Sequence, residues 1–103
     1  MDKTEIDIII NQYIEQICKN FSPRQIILFG SYAKGNANSE SDIDIAIIVD
    51  EIKGDYLNNA SMLYKLRRNV DDRIEPILLE SRSDPSEFLE EVRRTGQVIF
   101  TAA

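Results

Sequence analysis

The chain has no histidine. That removes histidine-based zinc sites and Ser-His-Asp chemistry together, and leaves carboxylates, hydroxyls, lysine, arginine or a bound metal to carry any catalysis. Cysteine occurs once, at Cys18. No intrachain disulfide can form, which favours a reducing compartment. Free cysteine prefers burial, and Cys18 lies four residues after Ile14, so the expectation is a buried structural thiol. No apolar run approaches the ~18 residues of a membrane span. The opening segment, MDKTEIDIIINQ, is too acidic to be read as a signal peptide, so the expected location is the cytoplasm. Positive charge is also scarce: 12 basic against 18 acidic residues leave a formal charge of −6, which argues against a broad nucleic-acid footprint. Internal repeats, low-complexity tracts and linkers are all missing.

What remains is an ordinary globular composition, 43% apolar and 29% charged. The 103 residues suit one domain, residues 1–103, large enough to bury about two thirds of its unfolded surface. Thr4 with Asp7 resembles a capping box. Ile6, Ile10, Tyr13, Ile14, Ile17 and Phe21 then recur at helical spacing, which predicts a first helix near 4–20. Pro23 ends it. Gln25–Phe29 reads as a strand, Gly30-Ser31 as a turn, Tyr32–Lys34 as one helical turn, and Asn36–Ser41 as a polar loop. A second strand follows over Asp42–Val49. Tyr56, Ala60, Leu63, Leu66 and Val70 trace a second long helix, whose Lys65, Arg67 and Arg68 are read as a solvated flank or as a phosphate or partner contact. Arg73–Leu79 reads as a third strand, placed at a sheet edge or bulge by Pro76. Asp84-Pro85-Ser86-Glu87 predicts a helix start with Asp84 as cap and Pro85 in first position. That helix continues through Phe88, Leu89 and Val92 to a stop at Gly96, and Gln97–Phe100 makes a final short strand. The order predicts an α/β fold, a small mixed sheet with helices packed against it. The helix between strands two and three allows a parallel crossover, which brings the first residues of both strands to one end of the sheet.

That end is chemically odd. Asp42 and Asp44 open a hydrophobic strand, and alternation puts both carboxylates on one face, roughly 7 Å apart along the chain. Like charges so placed repel, and strands are depleted in Asp. Glu75 on strand three can join them, held extended by the proline after it; Asp71 and Asp72 are nearby alternatives for a third acid. Carboxylates converging without a basic partner raise each other's pKa or splay apart, and a hard divalent cation, Mg²⁺ or Mn²⁺, resolves the conflict. Gly30 lets a ligand approach the backbone, Ser31 is placed to cap the next turn and leave an anion site, and Lys34 lies within reach of its mouth. An anion cradle beside a metal-binding carboxylate cluster describes a nucleoside triphosphate site.

The spacing Gly30-Ser31, ten residues, Asp42-Ile43-Asp44 matches the GS-x10-DxD signature of the polymerase-β-like nucleotidyltransferases, and Ala33 and Gly35 match its GS-x-A-x-G form. The chain resembles, over essentially its whole length, a minimal (MNT-type) nucleotidyltransferase, the antitoxin half of HEPN–MNT toxin–antitoxin pairs. Arg73-Ile74-Glu75-Pro76 resembles the third-acid segment of a subgroup, although Asp is commoner than Glu at that place. The resemblance implies ATP as substrate and Mg²⁺ held by Asp42 and Asp44, with Glu75 completing the metal set or acting as base. It implies phosphates at Gly30 and Ser31, and an acceptor tyrosine on a HEPN-type RNase toxin that is thereby neutralised. The alternatives are a non-catalytic antitoxin that neutralises by binding, a nucleotide sensor, or transfer to RNA or a small molecule.

Overall fold

Ile6, Ile10, Tyr13 and Ile17 recur every three or four residues and are buried along one stripe of the first helix. A computed structural model describes residues 3–103. The elements run α1 (Lys3–Asn20), β1 (Gln25–Phe29), α2 (Ser31–Lys34), β2 (Ile43–Val49), α3 (Tyr56–Arg67), β3 (Ile74–Glu80), α4 (Phe88–Thr95) and β4 (Gln97–Thr101). Among the described residues α1 is already helical at Lys3, so Thr4 lies inside it and is not its cap. Cys18 is exposed, contrary to expectation. It sits one residue, about 100° of helical turn, past the buried Ile17, and Ile14, from which its burial was inferred, is only the half-buried margin of the stripe.

The sheet order is β3-β2-β1-β4. β2 runs parallel to β3, as the α3 crossover predicts, and β1 is antiparallel to both β2 and β4. β3 is therefore an edge strand, the place a proline tolerates, with Pro76 opposite Ile45. Alternation along the strands builds two cores. Ile26, Leu28, Ile43, Ile45, Ile47, Ile74 and Leu78 pack against α1 and α3. Ile27, Ala46 and Ile48, with Ile77 and Leu79, pack against Leu89 and Val92 of α4. Because β2 is covered on both faces, its side chains are apolar throughout save one, Asp44. Tyr13 joins the helices of the first layer: it is fully buried, and its hydroxyl donates to the Leu63 carbonyl at 2.8 Å.

The last helix starts later than its cap suggests. Asp84 does accept N–H groups, but from Leu89 at 2.9 Å and Glu90 at 3.0 Å. Pro85 and Ser86 lie in a turn before the helix, and Glu87 takes the left-handed conformation (φ 59°) to join turn to helix. No helix among the described residues is long and apolar enough to cross a membrane.

Candidate active site

The antiparallel register pairs Phe29 with Asp44, so the chain leaves β1 at Gly30 directly beside that aspartate. Gly30 has φ 72° and ψ −151°, a region open to glycine and almost nothing else. A Cβ here would collide with Oδ2 of Asp44 and come within 3.1 Å of its Cγ. Glycine is thus required twice, by backbone conformation and by the carboxylate against it. Gly30, rather than Ser31, occupies the cap position of α2, and no side chain covers the first N–H groups of that turn. Ser31 is its first helical residue, so the expected Ser31 cap is not formed.

The chain returns to the site through a loop built on Asn38. Its Oδ1 accepts from the Glu40 N–H at 2.8 Å, its N–H donates to Ser41 Oγ at 2.9 Å, and its carbonyl accepts from the Tyr32 hydroxyl at 3.2 Å. Arg73 donates to the Ser39 carbonyl at 3.3 Å, tying this loop to the turn before β3. The loop delivers Asp42 immediately ahead of β2 and Asp44 as its second residue. No described residue hydrogen-bonds or ion-pairs with either carboxylate. Burial pushes the Asp44 carboxyl above the usual carboxylate range, and the charges of Asp42 and then Glu75 push it further.

Glu75 is the parallel register partner of Asp44. Its carboxylate is tethered toward α3, where Oε2 accepts from the Tyr64 hydroxyl at 3.3 Å and Oε1 lies 3.5 Å from Arg67 Nη1. Arg67 also donates to the Ile74 carbonyl at 2.8 Å and the Asp72 carbonyl at 3.1 Å, and its guanidinium sits 4.8 Å from the Tyr64 ring centroid. Asp71 is otherwise engaged: it receives the Arg73 N–H at 2.8 Å and Nη2 at 2.7 Å, and these bonds hold its carboxyl below the usual range. Asp72 is exposed in the turn ahead of β3. Of the three candidate third acids, Glu75 alone lies in the strand beside Asp44. Among the described residues no three acidic side chains close into a ready cation cage. Asp42, Asp44 and Glu75 share one end of the sheet and one electrostatic field, with Glu75 drawn toward its own partners. Lys34 is exposed and lines a cavity of about 770 Å³ between α1, α2 and β4, which none of Ser31, Asp42, Asp44 or Glu75 lines.

Sequence reasoning missed Tyr64 and the tether made by Arg67. Lys65 and Arg68 are exposed, as a solvated flank would be, but Arg67 is half-buried and spans α3 to β3. The signal was the Tyr64/Arg67 pair three residues apart on one helix face, a spacing at which side chains meet.

The sequence matches the family described as "Polymerase beta, Nucleotidyltransferase" over residues 11–103. It is 38% identical over 48 residues to the protein adenylyltransferase MntA of Thermococcus cleftensis, a match spanning 47% of this chain and about half (48%) of that relative. A Methanocaldococcus jannaschii protein, named provisionally a protein adenylyltransferase, is 30% identical over 95 residues, covering 88% of this chain and 94% of that one. A crystal structure of a toxin–antitoxin with AMP-PNP superposes with a TM-score of 0.70 at 27% identity, over 89% of this chain and 73% of that one.

Proposed function

Because the chain belongs to the polymerase beta nucleotidyltransferase family, we propose that it moves AMP from ATP to a hydroxyl of a partner toxin and is the antitoxin of that pair. The observation that carries this reading is the Asp42–Asp44 pair, free of internal partners, with the Asp44 carboxylate packed where a side chain on Gly30 would otherwise stand. The relatives named as protein adenylyltransferases support the activity, and the toxin–antitoxin with AMP-PNP supports both the nucleotide and the kind of partner. The acceptor in this reading is a tyrosine of a HEPN-type RNase toxin, and the reaction takes place in the cytoplasm, where ATP is supplied.

The donor set fits Mg²⁺, or Mn²⁺, since it offers only hard carboxylate oxygens. Burial first, and then the charges of Asp42 and Glu75, raise the Asp44 carboxyl, and a cation bound there would favour its charged form. Asp42 and Asp44, with Glu75, would hold it. A divalent ion bound there neutralises phosphate charge and acidifies a hydroxyl. The chain's own residues do the remainder. Ser31 Oγ and the uncovered N–H groups at the start of α2 hold the β- and γ-phosphates. Gly30 keeps the backbone low enough for the triphosphate to lie against β2. Glu75, held by Tyr64 and Arg67, would lie on the acceptor side and, as the alternative to completing the metal set, would take the acceptor's proton.

The test is incubation of the protein and its Asp44→Asn variant with Mg²⁺ and α-phosphate-labelled ATP in a lysate of the source cell. Label on one other protein, abolished in the variant, is the expected result. Variant-sensitive label in RNA or small molecules overturns the acceptor, and an Asp44→Asn protein that still neutralises its partner is a pure binder.

A further inference from the structure

Tyr64 reaches from α3 to the Glu75 carboxylate at the edge of the sheet, the group assigned above to the acceptor side. Its hydroxyl donates to Glu75 Oε2 at 3.3 Å, and Glu75 is the register partner of Asp44. Tyr64 is 40% exposed, its hydroxyl makes this one hydrogen bond, and the Arg67 guanidinium lies 4.8 Å from its ring centroid. The other three tyrosines are placed differently. Tyr13 is fully buried with its hydroxyl on the Leu63 carbonyl, and the Tyr32 hydroxyl is bound to the Asn38 carbonyl. Tyr56 lies two helical turns before Tyr64, at the start of α3, without a bond to any site carboxylate.

We propose that Tyr64 is a self-modification site, at which the protein transfers AMP from ATP to its own phenolic oxygen. The inference rests on the adenylyl-transfer reading above and gives the same site a second acceptor. The Tyr64 oxygen forms a bond to the α-phosphorus. The bond from that phosphorus to the oxygen bridging to the β-phosphate breaks, and pyrophosphate leaves with the electron pair. The phenolic proton passes to the Glu75 carboxylate, which already accepts the hydrogen bond, and from there to solvent. The product is a phosphodiester between AMP and Tyr64. It removes the donor that steadies Glu75 and leaves an adenylate on the acceptor side of the site. Self-transfer therefore stops at one AMP per chain and slows transfer to any other acceptor. An exposed tyrosine at the third carboxylate makes the unpartnered enzyme its own substrate, and a bound toxin competes with Tyr64 for the same place.

The purified chain is incubated with Mg²⁺ and α-phosphate-labelled ATP alone, and in a parallel arm with lysate of the source cell. Intact-mass measurement and peptide fragmentation read the result, with Asp44→Asn and Tyr64→Phe alongside. The expected outcome is one AMP per chain, mapped to Tyr64, absent from both variants, with a rate per chain independent of protein concentration. Asp44-dependent label on another protein while Tyr64 stays bare overturns the inference and leaves the adenylyl-transfer reading standing. So does AMP at a different residue of this chain, or a rate per chain that climbs with concentration. No label in either arm overturns both.

Discussion

Asp44 and Asp50 lie at opposite ends of β2 and meet opposite fates. Asp50 takes two hydrogen bonds from Arg24, at 3.1 and 2.8 Å, and one from Ser81 at 3.1 Å, and the Arg24 bonds hold its carboxyl below the usual range. Asp44 is without such partners, half-buried, and shifted upward by burial and by two other acids. A strand selected for stability alone would pair both ends, so the unpartnered end agrees with the ligand site proposed above. The neighbouring Gly30 tests this at the level of one atom. Gly30→Ala places a Cβ in a region of φ and ψ that costs roughly 1–3 kcal/mol for non-glycine residues, and drives it into Asp44 Oδ2. Moving that carboxylate by about 1 Å is enough to cost roughly 100-fold in rate. The expected outcome is a folded protein with a lowered melting temperature and adenylyl transfer down by about that factor. A Gly30→Ala variant with normal transfer would place the reaction elsewhere.

The α3–β3 connection is the element that positions Glu75, the proposed third carboxylate. Arg67 bonds the carbonyls of Asp72 and Ile74, and Asp71 folds back onto the Arg73 backbone and guanidinium, so the turn is clamped from both sides before Glu75 begins its alternation. The Asp71–Arg73 pair is mostly shielded, with side-chain exposures of 17% and 28%, and is worth about 1 kcal/mol after allowance for residual solvent. Its folded-state carboxyl lies below its unfolded value of about 3.9. The stabilisation is therefore fully present above that pH, erodes as pH falls below it, and is gone beneath the lowered folded value. Asp71→Asn should lower urea-measured stability by about 1 kcal/mol at pH 7, with the gap to wild type closing below pH about 4. A gap that stays undiminished down to the lowest pH at which the fold survives would mean the aspartate acts through shape alone. Of these clamps the sequence offered only the Tyr64/Arg67 spacing, because both meet Glu75 only once α3 has crossed to β3. The sheet itself was legible. Gln25–Phe29 is apolar and punctuated at both ends, the run after Asp42 is unbroken because β2 is covered on both faces, and Pro76 announced an edge. Errors fell where a local rule outran its context. Asp84 does accept N–H groups of the last helix, but across a turn that starts the helix three residues later than expected. Cys18 followed a general preference while the phase of α1, set by Ile6, Ile10, Tyr13 and Ile17, turned it outward. Gly30 took the cap position that Ser31 was expected to fill, since only glycine fits beside Asp44.

The whole molecule carries a formal charge of −6, and its parallel β2–β3 pair concentrates part of that charge at one end of the sheet. Burying Asp44 there raises the free energy of the ligand-free fold. A ligand that brings cationic charge to that end, and binds the folded state only, must therefore raise the fold's stability. At a free concentration 100 times its Kd, such a ligand stabilises by about 2.7 kcal/mol. For a domain of this size each kcal/mol moves the melting temperature by about 4–8 °C, so Mg·ATP at that excess should raise it by roughly 10 °C or more. Chelating the metal should reverse the shift. Asp44→Asn should melt near or above the ligand-free wild type, because it removes the half-buried charge, yet should not respond to Mg·ATP. This pattern separates a nucleotide site from a generally acidic surface. Screening of surface charge by monovalent salt acts on wild type and variant alike and needs no nucleotide. Calorimetric scans of the two proteins, with Mg²⁺ alone, ATP alone and both together, give the answer. Equal shifts in wild type and Asp44→Asn would show that the acidic end of β2 is not where the nucleotide binds.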